Sequence, residues 1–207
     1  MARYPVAMHI SASAIICAVR PHGEAGAVVR AMTAEHGMIA GYVRGGRSRT
    51  MRPVLQPSNI VRAEFRARVE TQLPALTVEL EQSRGPLMAE PLAAAALDWA
   101  TALTASVVPE MHPYPAIHSA LDGLLNAIEA APAARGWAGA LVSYEALILS
   151  ALGFGNGDGA RSDGWEGVHA SLNASGARLA RYLFADRRSD VLAARERLVE
   201  RLKRAAA

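Results

Sequence analysis

Residues 44–57 read RGGRSRTMRPVLQP, with Arg44, Arg47, Arg49 and Arg52 close together, Gly45 and Gly46 between the first two, and no acid among them. A guanidinium stays charged at any physiological pH. Its planar fork takes a phosphate through paired hydrogen bonds or stacks on a flat ring. Adjacent glycines let the backbone follow an irregular partner. The chemistry this stretch suits is non-covalent neutralisation of a polyanion, with nucleic acid the first candidate. Loops of this composition also occur as merely solvated surface, so charge alone leaves both readings open.

A second basic pattern follows. Val61, Ala63, Phe65, Ala67 and Val69 alternate with Arg62, Glu64, Arg66 and Arg68. A period of two marks a strand with one apolar and one mostly basic face, and such a face can serve as a track for a single strand. Leu76, Val78 and Leu80 then alternate with Thr77, Glu79 and Glu81, which predicts a hairpin turning around Gln72 to Ala75. Symmetric pairing would set Arg66 opposite Glu79 and Arg68 opposite Thr77, neutralising Arg66 and leaving Arg62 and Arg68 free. The candidate nucleic-acid contacts are therefore Arg44, Arg47, Arg49, Arg52, Arg62 and Arg68. Stacking platforms are scarce: Tyr4, Tyr42 and Phe65 are the aromatics here, Phe65 alternates inward, and Tyr42 is expected at the core or rim.

The elements that must hold these residues are short strands. Ile15–Val19, Ala27–Met32 and Met38–Val43 are apolar runs separated by the turn sequences His22-Gly23-Glu24 and Glu35-His36-Gly37. With the hairpin they make five strands in residues 1–84, the pattern of a small closed or partly closed barrel such as an OB-fold. After Gly85-Pro86 the period becomes helical: Leu92, Ala96, Trp99, Leu103 and Val107, then Ile117, Leu121, Leu124 and Ile128, then Trp137, Leu141, Tyr144, Ile148 and Leu152. A glycine-rich break covers residues 153–164. Short helices are expected over 165–172 and 177–184, and an amphipathic one over 191–204 with a Glu200–Arg204 pair. The expected fold is α+β: an OB-fold domain at 1–84, the candidate nucleic-acid binder, and an α-helical domain at 85–207. Charge divides the same way. Residues 1–84 hold eleven arginines against six glutamates, net +5, whereas 85–207 hold ten arginines and one lysine against thirteen acids, net −2.

Signatures of catalysis are missing. No G-x-x-x-x-G-K-[ST] or G-x-S-x-G occurs, and Gly155-Asn156-Gly157 with Ala160 imitates a dinucleotide loop but follows a helix instead of a strand. The six histidines form no H-E-x-x-H, and Asp158 and Asp163 lack calcium-loop spacing. Cys17, the single cysteine, lies between Ile16 and Ala18 and reads as a buried, inert thiol. The N-terminus has no secretory pattern and no window is long and apolar enough to span a membrane. The expectation is a soluble cytoplasmic protein that is not an enzyme and needs no cofactor.

Several segments in order resemble the bacterial RecO family of DNA repair. They are Arg20-Pro21-His22-Gly23-Glu24-Ala25, Met32-Thr33-Ala34-Glu35-His36-Gly37 and Val43 to Arg49 leading to Leu55-Gln56-Pro57. Further on come Leu73 to Leu80, Leu87-Met88-Ala89-Glu90-Pro91-Leu92, Glu145 to Phe154 and Ala193 to Leu202. The likeness is close through about residue 92 and patchy but ordered beyond. It implies an OB-fold followed by a helical domain, binding of single- and double-stranded DNA with little sequence preference, and annealing of complementary strands. It also implies two partners, RecR and the acidic C-terminal tail of single-stranded DNA-binding protein (SSB), and a role in loading RecA on SSB-coated DNA in the RecF pathway of recombination.

Two departures stand out. Many members carry four cysteines after the L-G-[FY] helix end, often binding zinc, and this chain has none there; no metal is expected. The insertion before the last helices is also shorter. The tail's receptor should pair apolar surface with a basic residue, for which Arg135, Arg178 and Arg181 are candidates that sequence does not separate. A monomer is expected. The competing readings are a helical protein–protein adaptor with the OB unit as scaffold, and an RNA-binding OB protein.

Overall fold

In a computed structural model, the described residues are 8–69, 71–131, 133–155, 164–185 and 190–206. Tyr4, Asp158, Asp163 and most of the expected glycine-rich break fall outside them.

Five strands build the first half: β1 (Met8–His22), β2 (Gly26–Thr33), β3 (Gly37–Val43), β4 (Ile60–Ala67) and β5 (Ala75–Gln82). β1 has two neighbours. Its start runs antiparallel to β4, from Met8 opposite Ala67 to Ile15 opposite Ile60, and its end antiparallel to β2. The register shifts between Ile16 and Ala18, a bulge that bends the strand from one neighbour to the other. Around the barrel the order is β1-β2-β3-β5-β4, closed on itself. The closing seam is thin: β3 meets β5 in parallel at Tyr42 and Ala75, with Tyr42 N–H donating to Pro74 O at 2.8 Å.

Alternation builds the interior. Ile16, Val29, Ala31, Ile39, Val61, Ala63, Phe65 and Leu76 form one buried cluster. Gly41 makes room for it, since a Cβ there would lie 2.7 Å from Leu76 Cβ and 3.1 Å from the Phe65 ring. The expected strand at Ile15–Val19 is therefore the middle of a longer one. Met8, Ile10 and Ala12 alternate with His9, Ser11 and Ser13 and extend it toward the N-terminus.

The helices are α1 (Pro91–Val107), α2 (Pro115–Ala130), α3 (Ala138–Ala151), α4 (Gly164–Tyr182) and α5 (Asp190–Ala206). None among the described residues is long and apolar enough to cross a membrane. The chain divides into one unit of Met1–Pro86 with Val108–His118 and another of Leu87–Val107 with Ser119–Ala207. Residues 108–118, assigned by sequence to the helical half, thus group with the barrel. Met111 N–H donates to Met38 O at 2.9 Å, and Arg30 reaches Val108 O at 3.3 Å and Glu110 at 3.4 Å. Gly37, at φ +71°, lets this segment approach: a Cβ there would sit 1.8 Å from His112 O.

In the helical unit one buried carboxylate joins four helices. Glu145 of α3 accepts from Trp99 Nε1 of α1 at 2.8 Å and from the Ser175 hydroxyl of α4. Arg195 of α5 grips it with Nε and Nη2 at 2.8 and 2.9 Å. A buried carboxylate needs such a full set of donors, because each one missing leaves charge without water or partner. The same arginine explains why α4 is one helix where two short ones were expected. Gly176 weakens the helix intrinsically, but its missing Cβ is the space Arg195 occupies: an added Cβ would lie 2.3 Å from Nη1.

Candidate nucleic-acid interface

The arginine loop between β3 and β4 is anchored from beneath. Gly45 takes φ +68°, and Gly46 packs so closely that a Cβ would meet Ala27 Cβ at 2.8 Å. Arg47 N–H donates to Ala25 O at 3.0 Å and its Nη1 to Glu24 O at 3.1 Å, tying the loop to the β1–β2 turn. Arg52 Nε donates to Arg47 O at 3.1 Å, and Leu55 is buried in the barrel core. Asn59, buried at the start of β4, clamps the far end through Pro53 O at 2.8 Å and Val54 O at 3.1 Å. The turn bonds and the buried Leu55 therefore hold the arginines outward on a shaped surface.

All four loop arginines are exposed. Among the described residues none of them forms an ion pair with a carboxylate; the pairs lie elsewhere. Where Arg47 and Arg52 bond the fold, they bond neutral carbonyls, which leaves their positive charge uncancelled.

The strand face differs from expectation. In the β4–β5 hairpin Arg62 stands opposite Glu79, Glu64 opposite Thr77 and Arg66 opposite Ala75. Arg66 therefore does not face Glu79, and Arg68 does not face Thr77. Arg62, expected to be free, pairs with Glu81 at 2.9 Å, and Ser13 donates to the same carboxylate at 2.6 Å. Arg66 turns to Glu64 of its own strand at 2.5 Å, where His9 also bonds at 2.8 Å. The Arg66 hydrogen bond, and after it that of His9, hold the Glu64 carboxyl below the usual carboxylate range. Arginine and glutamate alternate across this face, so it repels a phosphate chain about as much as it attracts one. The physical reason is register. The two pairings differ by four residues, and any even slip keeps every apolar side chain inside, so alternation alone does not choose between them.

Arg68 is exposed and makes no ion pair among the described residues. It lies just past the end of β4, while the loop enters at the start, so the two are separated by roughly 26 Å of strand at ~3.3 Å per residue. The structure thus gathers Arg44, Arg47, Arg49 and Arg52, pairs Arg62 away, and leaves Arg68 alone. Tyr42 is not a free platform. Its ring covers Gly26, where a Cβ would lie 2.2 Å from the hydroxyl, and it meets His22 edge-on at 5.9 Å. Sequence reading missed the anchoring role of Ala25 and Glu24, which offer only backbone carbonyls. The acids that quench the strand face were in plain view as Glu64 and Glu81.

Cys17 is buried, and burial pushes its thiol up to about 12. No group of three or more His, Cys, Asp or Glu is placed to hold a metal among the described residues.

A closed five-strand barrel with a basic β3–β4 loop, followed by a helical unit, defines an OB-type protein of the α+β class. Residues 8–84 match the family model described as Recombination protein O N terminal. The DNA repair protein RecO of Rhodospirillum rubrum is 42% identical over 146 residues, covering 68% of this chain and 57% of that protein. That of Rhodospirillum centenum is 41% identical over 143 residues (69% and 56%), and that of Phenylobacterium zucineum 38% over 149 (72% and 60%). The chain belongs to the RecO family, and spans less than two thirds of the length of these relatives.

Proposed function

We propose that this protein acts in DNA repair and recombination by binding DNA through Arg44, Arg47, Arg49 and Arg52. It takes single and double strands with little sequence preference and anneals complementary strands. The observation that carries this reading is the loop itself: four exposed arginines on a firmly held turn, uncancelled by acids, beside a sheet face whose charges cancel. Annealing requires no covalent step and no cofactor. Two strands repel through their phosphates, and a cationic loop lowers that repulsion while raising their local concentration. The names of the relatives support the DNA repair setting.

In the same reading the protein works as a cytoplasmic monomer with RecR and SSB, so that RecA can load on coated strands. One surface of the helical unit suits an acidic tail with an apolar end. Phe154 and Tyr182, both exposed, stack at 5.5 Å, Arg181 lies over Tyr182 at 5.3 Å, and Arg178 holds Phe154 O at 2.6 Å. A groove lined by Leu87, Leu92, Ile128 and Trp137 also includes Glu90 and Glu129, the wrong charge for such a tail.

The experiment is annealing of two complementary oligonucleotides coated with cognate SSB, with and without the protein. Faster annealing on coated strands supports the reading. Acceleration of bare strands only removes SSB from it, and no acceleration of either leaves the adaptor reading in its place. Preference for RNA over DNA in direct binding would favour an RNA-binding OB protein.

A further inference from the structure

Beneath the arginine loop lies a pocket of about 280 Å³ lined by Val19, Pro21, Ala27 and Leu55 together with Arg47 and Arg52. Four apolar side chains supply its walls, and two guanidinium groups supply planar cations beside them. Gly46 also lines it, and its close packing against Ala27 and Leu55 fixes the loop there. Both arginines are held by bonds to backbone carbonyls, Arg47 on Glu24 and Arg52 on Arg47, so the pocket is built before any ligand arrives.

We infer that this pocket is a base-capture notch: it takes one unstacked nucleobase of a bound single strand, with Arg47 and Arg52 contacting that nucleotide's phosphates. The inference deepens the DNA-binding reading and rests on it. Three features favour a base as the occupant. The volume sits just below the usual range of small-molecule clefts, ~300–1,000 Å³, which suits one nucleoside and little more. A base is flat and apolar on its faces, and it packs both on aliphatic walls and on a guanidinium plane. A nucleotide also carries its anion with it, so filling the apolar pocket and neutralising the arginines happen in one event. With Tyr42 committed to Gly26 and Phe65 buried, the barrel has no free Phe, Tyr or Trp platform for this task among its described strands.

The notch gives the protein a way to distinguish single strands from duplex at a site that otherwise reads phosphates alone. A base within a duplex is stacked and paired, and extruding it carries the cost of breaking both. A single strand offers its bases nearly free of that cost.

The test uses the full chain and two labelled strands of equal length and phosphate count, oligothymidine and a strand of abasic sugars, titrated by fluorescence anisotropy. The notch predicts about 5- to 150-fold weaker binding of the abasic strand, the range for stacking one base, with the same salt dependence for both. Val19→Phe fills the pocket and removes no arginine charge, so it should erase the difference between strands while keeping that salt dependence. Equal binding of both strands by the unmodified protein overturns the notch and leaves phosphate binding intact. Failure of both strands to bind at low salt instead removes the DNA reading itself. Displacement of oligothymidine by an acidic peptide with an apolar C-terminus, lost in Val19→Phe, would assign the pocket to a peptide and overturn the base.

Discussion

Arg44→Gln with Arg49→Gln is the perturbation that most directly separates the loop from the strand face. Neither side chain makes a hydrogen bond or ion pair to the fold among the described residues, whereas Arg47 and Arg52 also hold the loop in shape. The double change therefore removes two charges and leaves the structure alone. Four phosphate contacts on a single strand give a log–log salt slope of about −2.8, and two give about −1.4. Raising salt from about 50 to about 200 mM should then weaken the parent about 50-fold and the variant about 7-fold. The matched control is Arg62→Gln with Arg66→Gln, which removes equal charge from arginines already paired with Glu81 and Glu64. That variant should keep the parent slope. Anisotropy titrations of a labelled single strand at several salt concentrations measure all three. A parent-like slope in the loop variant, or a flattened one in the strand variant, would refute the assignment of phosphate contact to the loop.

Three further outcomes concern stability and chemistry. Arg195→Met leaves the Glu145 carboxylate buried without its cation and should cost ~3–5 kcal/mol in urea unfolding followed by tryptophan fluorescence; adding Glu145→Leu should recover most of that. Gly23→Ala and Gly37→Ala both place alanine in a left-handed turn, at φ +64° and +71°, but only Gly37 faces a carbonyl within 1.8 Å of the new Cβ. The first should cost ~1–2 kcal/mol and the second clearly more by the same measurement. Cys17 should resist thiol reagents in the native state and react on unfolding. Its folded thiol keeps the proton up to about 12 while an unfolded one releases it near 9.0, so this contribution to stability is complete below 9.0 and lost as pH rises. From about pH 8 to about pH 10 the parent should lose roughly 1.4 kcal/mol more than Cys17→Ala.

Strands β2 and β3 were legible as short apolar runs between glycine turns, β4 and β5 as alternation, and the first three helices as three- and four-residue spacing, because burial writes itself directly into those patterns. The loop arginines were legible because no acid interrupts them. What escaped has a common cause. The hairpin register, the continuity of α4 through Gly176 and the pocket under Arg47 each depend on residues distant in sequence: Glu81 against Arg62, Arg195 against Gly176, Val19 against Leu55. Local periodicity carries no record of such pairs. The start of β1 escaped for a different reason: Met8, Ile10 and Ala12 alternate with His9, Ser11 and Ser13, but Ala12 is too small to mark an apolar face.

The return of residues 108–118 to the barrel bears on how the molecule is made. The strand that supplies Met38 is translated long before Met111, the residue that takes up its carbonyl, and the whole of α1 comes between. During synthesis the barrel must wait, with that edge uncovered, until the first helix of the other unit has left the ribosome. Domains ordinarily fold from the N-terminus as units, but here neither unit is one uninterrupted stretch of message. An expression product cut after Pro86 would contain all five described strands and still lack part of its own fold. A transplantable barrel has to carry the later segment with it.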